Sequence, residues 1–341
     1  MQIVYSTRHS RHHPALEFFE GELKKFQETP ERATIVLEAL TAGQIGPVVA
    51  PDDYGLGPIT ALHSPDYIEY LQHAYERWVA DGGIPAGVYP DSFPVRRMLH
   101  RPTKLSALAG YYAFDLTAII VAGTWEAAYD SAQCALTAAH TVSLEGGAAF
   151  ALCRPPGHHA HADLCGGYCF LNNAAIAANW LASTAGRVAL LDIDFHHGNG
   201  SQDLFYERSD VLFVSIHGDP DRQFPYYLGT ADETGSGAGL GYTVNYPLAA
   251  GVADEDYLQV LRRAVGRIAP YDPEYVVVSL GVDTFADDPL GGFALTEAAF
   301  PCIGATIAQL NRPTVFIMEG GYAIEPLGRN IAGVLTGFQT E

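Results

Sequence analysis

Short runs of consecutive apolar residues recur along the whole chain, with stretches of helical periodicity between them. The runs are mostly rich in Val and Ile and lack polar alternation, which is typical of strands buried on both faces of a sheet. Strands are predicted at Ile3–Tyr5, Ala148–Leu152, Val188–Asp192, Val211–Ile216, Tyr275–Leu280 and Thr314–Met318. Helices are predicted at Glu31–Ala42, Pro65–Ala80, Thr124–Leu144, Asn172–Ser183, Asp254–Ala269, Thr296–Leu310 and Glu325–Leu335. This alternation predicts an α/β fold of three layers, with helices on both faces of a central, mostly parallel sheet.

The chain shows no internal repeat, charge run or flexible linker, so we expect residues 1–341 to form one domain. Residues 81–102 are an unusually long irregular segment, DGGIPAGVYPDSFPVRRMLHRP. Long loops of this kind in compact domains tend to be functional or interfacial. A disordered surface insertion is the alternative, but Tyr89, Phe93, Val95 and Met98 would then be left in water. We therefore favour a contact surface.

Charge and cysteine content narrow the class of protein. The 39 acidic residues against 19 Lys and Arg give a net charge of −20, which disfavours nucleic-acid binding and favours a cationic substrate. Five cysteines in a long chain imply no disulfide framework. No signal peptide is recognisable, and no apolar run reaches the roughly 18 residues of a membrane span. We expect a soluble cytoplasmic protein that does not bind membranes.

Two aspartates and two histidines lie at and directly after the predicted strand Val188–Asp192, in the run LLDIDFHHGNG. Asp194 and His196 are two residues apart, so extended backbone directs both side chains to the same face, where they can bind one divalent metal ion. Asp192 shares that face and can support the ligands or bind another cation. The alternative is an ionic strand end with solvated histidines, which four ionisable residues directly after an apolar strand make less favourable.

Three further strand ends carry polar groups in the motifs RPPGHH, SLGVDTF and MEGGY. The first presents His158 and His159, and imidazole is suited to proton transfer near neutral pH. Asp283 in the second can supply a third metal ligand. In the third, two glycines allow a close backbone approach beside Tyr322. Ligands bind at the carboxyl ends of parallel strands, and an Asp, His, Asp set leaves an open metal position, so we predict a metal hydrolase.

Taken together, DIDFHHGNG, RPPGHHA, GGYCFLNN, SLGVDTF and EGGY resemble the histone deacetylase superfamily, whose fold is shared with arginase. The resemblance extends from the first predicted strand to the last helix. HSRHHPALEFFEGEL, GTWEAA, DSFPVRR and FYERSDVLFVSIHGDP are most similar to the bacterial acetylpolyamine amidohydrolases.

The resemblance implies one zinc ion per subunit, held by Asp194, His196 and Asp283. It places His158 and His159 beside the attacking water, with His159 as the general base and later the acid. Tyr322 would donate a hydrogen bond to the oxyanion.

The resemblance also implies supporting and substrate-binding residues. Asp192 would orient His158, and Asn199 would orient His159. Ser215, with backbone around Asp192 and His196, matches a structural potassium site. Tyr168 and Phe224 match the aromatic walls around the substrate's methylene chain, and Glu17 matches an acid that meets its distant ammonium.

The implied reaction is removal of acetyl groups from N-acetylated polyamines or diamines, such as acetylputrescine, acetylcadaverine and acetylspermidine. A protein lysine deacetylase on the same fold is the alternative, and a non-catalytic metal-binding descendant is a third possibility. An arginase-type enzyme needs a second Asp two residues after Asp283, where this chain has Phe285. Related enzymes use an insertion like residues 81–102 to pair subunits, so we expect a homodimer.

Overall fold

A computed structural model of the protein describes residues 1–19 and 21–340. Its strands are β1 (Gln2–Val4), β2 (Leu16–Phe19), β3 (Glu22–Lys25), β4 (Val48–Val49), β5 (Ala148–Ala151), β6 (Val188–Asp192), β7 (Val211–Gly218), β8 (Thr243–Leu248), β9 (Tyr275–Leu280) and β10 (Thr314–Met318). Its α-helices are α1 (Glu31–Ala42), α2 (Gly57–Thr60), α3 (Pro65–Ala80), α4 (Leu105–Tyr111), α5 (Thr124–Glu145), α6 (Asn173–Ala185), α7 (Asn199–Phe205), α8 (Asp254–Ile268), α9 (Ala299–Ala308) and α10 (Ile324–Gln339). Short 3-10 helices lie at Thr7–Arg11, Gly237–Gly239 and Ala269–Tyr271.

Eight strands form one sheet in the order β4-β1-β5-β10-β9-β6-β7-β8. Every neighbouring pair in this sheet is parallel. The strands β2 and β3 form a separate antiparallel hairpin. The central strands β5, β10, β9 and β6 are therefore neighbours, and their carboxyl ends meet at one edge of the sheet.

Helices cover both faces of the sheet, as the unbroken apolar strands require. On one face, residues of α1, α8, α9 and α10 pack with the sheet in one apolar core. On the other, α5 and α6 pack against it in a second core, and α2, α3 and α4 add a third cluster outside them. The predicted three-layer α/β fold is confirmed. None of the helices in the described part of the chain is long and apolar enough to cross a membrane.

The predicted elements are all present, most within three residues at either end. The bounds of β6, β9, β10, α1 and α3 are as predicted. The structure adds β2, β3, β4, β8, α2, α4 and α7, which the sequence pattern did not predict. β8 (TVNYPL) alternates polar and apolar residues and contains Pro247. It lies at the edge of the sheet, where a strand is less buried and proline is tolerated.

Residues 81–102 contain no helix or strand, and Val88 forms one isolated bridge with Ile120. Several apolar side chains of this loop are exposed to solvent: Val95 by 60%, Met98 by 57% and Leu99 by 79%. The loop therefore presents an apolar surface in the isolated chain.

Candidate active site

The residues singled out in the sequence meet at the carboxyl ends of β5, β10, β9 and β6. A cavity of about 370 Å³ opens there, and its lining includes Glu17, His159, Tyr168, His196, Phe224 and Tyr322. β6 ends at Asp192, so Asp194 and His196 lie in the loop after it and not in the strand itself. The backbone of this loop directs both side chains to the same centre. The prediction that an extended strand would do so was wrong.

Asp194, His196 and Asp283 converge as predicted, with ligand atoms that all lie within 4.8 Å of one another. His196 Nδ1 is 3.0 Å from Asp283 Oδ2 and 3.3 Å from Asp194 Oδ1. The other oxygen of each carboxylate accepts a backbone N–H, Asp194 Oδ2 from Gly320 at 2.7 Å and Asp283 Oδ1 from Phe195 at 2.8 Å. These backbone bonds hold each carboxylate with one oxygen directed at the shared centre.

The electrostatics of this cluster fit a divalent cation. Burial alone would lower the pKa of His196, but hydrogen bonds to Asp194 and Asp283 raise it to about 10. Burial and the nearby charge of Asp194 raise the pKa of Asp283 to about 7. Both shifts arise because two carboxylates are buried beside one imidazole, an arrangement that a bound cation would stabilise. Two oxygens and one nitrogen are a donor set that zinc and other divalent transition metals accept.

The cluster supplies ligands for one ion. Phe285, two residues after Asp283, packs against the apolar core, with its ring centroid 6.4 Å from that of Phe300. Within residues 1–19 and 21–340, Asp194, His196 and Asp283 are the only group of this kind that the geometry brings together. The side chains described here therefore fit a mononuclear centre.

His158 and His159 lie side by side, with ring centroids 4.0 Å apart, but their surroundings differ. His158 Nδ1 is 3.0 Å from Asp192 Oδ2. Burial alone would lower the pKa of His158, but the carboxylates of Asp194 and Asp192 raise it to about 10. Asp192 is therefore placed where it can hold the His158 ring.

His159 is a buried imidazole with a neutral partner. Its Nδ1 is 2.7 Å from Asn199 Oδ1, and the amide oxygen can only accept, so Nδ1 donates. Burial, and then the charges of His158 and His196, lower the pKa of His159 well below its usual range. A neutral imidazole that donates through Nδ1 keeps a lone pair on Nε2, which a general base requires.

Tyr322 is held by two buried groups behind it. Asp288 Oδ2 accepts the Tyr322 N–H at 2.6 Å, and the Arg32 guanidinium lies 4.7 Å from the centre of the phenol ring. Arg32 Nε also donates to the Gly321 carbonyl oxygen at 2.6 Å. Burial raises the pKa of Tyr322 well above its usual range, so the hydroxyl remains protonated and can donate a hydrogen bond.

The sequence reasoning did not identify the buried charges that join these loops. Glu28 Oε1 lies 2.7 Å from Arg32 Nη1 and 2.9 Å from Arg154 Nε, and all three side chains are buried. Glu319 Oε2 accepts the N–H groups of Gly157 at 2.7 Å and of His158 at 3.2 Å. The signal was present, because Arg154 and Glu319 stand within the motifs RPPGHH and MEGGY, directly after buried strands. Charges at such positions need buried partners.

The predicted substrate-binding residues line the same cavity. The Phe224 ring is 5.0 Å from that of His159, and the Tyr168 ring is 5.7 Å from that of Tyr322. Glu17, on β2, is only 1% exposed.

The carboxyl of Glu17 has two polar neighbours. Its Oε1 accepts the Gln27 N–H at 3.2 Å, and the Tyr168 side chain also forms a hydrogen bond with the carboxyl. Burial is the main cause that raises the pKa of this carboxyl.

Ser215 lies on β7 in register with Asp192 on β6. Both side chains are fully buried, and Ser215 Oγ is 2.8 Å from His217 Nδ1. The structure therefore places Ser215 beside the Asp192 backbone.

Comparisons with known proteins agree with this geometry. The histone deacetylase domain family matches residues 26–338. The chain is 49% identical over 343 residues to "Acetylpolyamine amidohydrolase 1" of Pseudomonas aeruginosa, covering 99% of both chains. It is 44% identical to "Acetylpolyamine amidohydrolase" of Mycoplana ramosa, again covering 99% of both. The solved structure of acetylpolyamine aminohydrolase from Burkholderia pseudomallei superposes with a TM-score of 0.95 at 42% identity, covering 99% of this chain and 98% of that one. The chain is therefore an amidohydrolase of the histone deacetylase family.

Proposed function

We propose that the enzyme removes acetyl groups from N-acetylated diamines and polyamines, such as acetylputrescine, acetylcadaverine and acetylspermidine. The observation that carries this proposal is the carboxyl of Glu17, which is buried and lines the same cavity as His159. An ammonium group at the far end of the substrate would pair with this carboxyl. The names of the P. aeruginosa and M. ramosa relatives support the same substrate class.

We propose that Asp194, His196 and Asp283 hold one Zn²⁺ per subunit. When bound, such an ion polarises the acetyl carbonyl and makes a nearby water more acidic. A monovalent cation, most simply K⁺, is proposed at Ser215 with the backbone around Asp192 and His196. It would balance the buried carboxylates next to the centre.

Each side chain of the site has a separate role in amide hydrolysis. His159 Nε2 takes the proton of the attacking water and later delivers it to the amine nitrogen as the C–N bond breaks. His158, paired with Asp192, provides a second hydrogen-bond donor at the reacting centre. The Tyr322 hydroxyl donates to the carbonyl oxygen as negative charge develops there. Tyr168 and Phe224 enclose the methylene chain.

The proposed substrate class is tested by measuring acetate release from N-acetylputrescine, N-acetylcadaverine and N-acetylspermidine beside an acetyl-lysine peptide. We expect kcat/KM to be higher for at least one acetylated amine than for the peptide. A higher value for the peptide would favour a protein lysine deacetylase instead.

Glu17→Gln is expected to raise KM for N-acetylputrescine by about tenfold, because a charge-assisted hydrogen bond contributes roughly 1.5–3 kcal/mol. The matched control is N-butylacetamide, which has the same chain length and no ammonium, and its KM should change little. Since Glu17 is buried, added salt should screen this interaction less than it screens a surface ion pair. Equal effects on the charged and neutral substrates would show that Glu17 does not contact the ammonium.

We propose that residues 1–341 form a single catalytic domain that pairs with a second copy through residues 81–102. The support is the solvent exposure of Val95, Met98 and Leu99 in this loop. Sedimentation at micromolar concentration should show a dimer, and the double variant Met98→Glu, Leu99→Glu should shift it to the monomer. A wild-type monomer with full activity would contradict the pairing.

A further inference from the structure

Behind His159, a row of hydrogen bonds runs from the cavity to the protein surface. His159 Nδ1 lies 2.7 Å from Asn199 Oδ1, and Asn199 Nδ2 lies 3.0 Å from His161 Nε2. His161 Nδ1 then lies 3.0 Å from Asp203 Oδ2. The side chains of His161 and Asp203 are 12% and 55% exposed, so the row ends in solvent.

The fold places these four groups in line. Asn199 and Asp203 lie one turn apart on the same face of α7. The loop that carries both histidines crosses this face at Gly200, where a Cβ would lie 2.3 Å from the Ala160 carbonyl oxygen. A side chain at that position would push the loop away and separate Asn199 from one or both imidazoles.

The direction of every hydrogen bond in the row follows from its outer end. The carboxylate oxygen of Asp203 accepts a hydrogen bond, so His161 Nδ1 carries the hydrogen and His161 Nε2 has the lone pair. The NH₂ group of Asn199, 3.0 Å away, donates to that lone pair, and this directs the amide oxygen of Asn199 at His159. His159 Nδ1 must then be the donor. The lone pair on His159 Nε2, which the proposed base uses, is therefore determined by Asp203, which is three hydrogen bonds away.

We propose that His161 is a positioning residue that sets the tautomer of His159 through the orientation of the Asn199 side chain. A donor in place of His161 Nε2 would favour rotation of the Asn199 amide, because its oxygen would then turn outward. Its NH₂ group would face His159 Nδ1, which would have to become an acceptor with the proton on Nε2. In that tautomer His159 cannot take a proton from water. The catalytic consequence rests on the proposed function, whereas the tautomer itself does not.

Two substitutions separate this role from that of a surface ion pair. In His161→Glu the new side chain can only accept, so Asn199 keeps its orientation and kcat should stay within about twofold of the wild type. In His161→Lys the new side chain can only donate. We therefore expect kcat to fall by about tenfold with little change in KM, as for one mismatched hydrogen bond. Equal kcat values for the two variants would overturn the proposal.

A double substitution tests whether the effect passes through Asn199. In an Asn199→Asp background both carboxylate oxygens accept, so a donor at position 161 no longer conflicts with His159. Adding His161→Lys to Asn199→Asp should therefore change kcat by less than about twofold, which gives a coupling between the two positions. A full tenfold loss in that background would show that the lysine acts by another route.

The tautomer can be read directly and without turnover. In protein with ¹⁵N-labelled histidine, the His159 signals are assigned by their loss in His159→Gln. We expect Nδ1 to be protonated in the wild type and in His161→Glu, and a population protonated at Nε2 to appear in His161→Lys. An unchanged tautomer in the lysine variant would refute the proposal. If the enzyme proves inactive on acetylated amines, this measurement still decides the role of His161.

Discussion

Removing the divalent ion with a chelator is expected to lower the rate of deacetylation to less than about one thousandth of its initial value, because carbonyl polarisation and water activation are lost together. Two carboxylates and one imidazole bind metal through deprotonated atoms, so a divalent ion added back should restore the rate. The measurement is acetate release from N-acetylputrescine at a metal content verified by elemental analysis. Activity that persists in verified metal-free protein would contradict the metal mechanism.

The identity of the ion follows from the same experiment. Zinc, iron(II) and cobalt(II) all accept oxygen and nitrogen ligands, so each is added back separately at equal concentration. Asp283→Ala is the matched variant, because it removes one of the three proposed ligands; it also leaves the Phe195 N–H, in the loop after β6, without its carboxylate acceptor. It should lose metal and activity together, with folding checked by circular dichroism.

Tyr322→Phe is expected to lower kcat by about 10²- to 10³-fold, the effect of removing one donor to a developing oxyanion. The phenol ring packs over Arg32, and the backbone N–H bonds to Asp288, so the substitution removes only the hydroxyl and should leave the fold intact. Steady-state kcat and KM with N-acetylputrescine measure the effect, together with the melting temperature and metal content.

Tyr226→Phe is the matched control for that loss. Tyr226 lines the same cavity but is 53% exposed, so its hydroxyl has water as an alternative partner. We expect kcat to stay within about twofold. A Tyr322→Phe enzyme with near wild-type kcat would remove that hydroxyl from the mechanism.

The central strands and the residues at their ends could be predicted because burial on both faces leaves an unambiguous pattern. The triplet of valines in β9 and the run VALL in β6 can be buried only between two helical layers. The polar residues that follow them must then lie at one edge of the sheet. The sequence pattern therefore suffices to predict that Asp194, His196 and Asp283 lie in one cluster.

The parts that were missed depend on contacts between distant segments. Glu28 and Arg154 are 126 positions apart, and nothing in either local sequence shows that they share a buried ion pair. The hairpin of β2 and β3 has polar residues in both strands, so its pattern did not reveal that Glu17 points inward. The roles of Asn199 and Glu17 came from the family resemblance. The position of His161 between Asn199 and Asp203 required the structure.

The position of β10 in the sheet affects how the enzyme folds. β10 is the last of the sheet strands along the chain, yet it lies between β5 and β9 in the middle of the sheet. Until it inserts, the half that carries the histidine pair and the half that carries the metal ligands have no strand pairing to join them. Such late, long-range closure makes folding slow and leaves two open strand edges exposed during synthesis. A nascent chain that stops before Thr314 would therefore be both inactive and prone to aggregate.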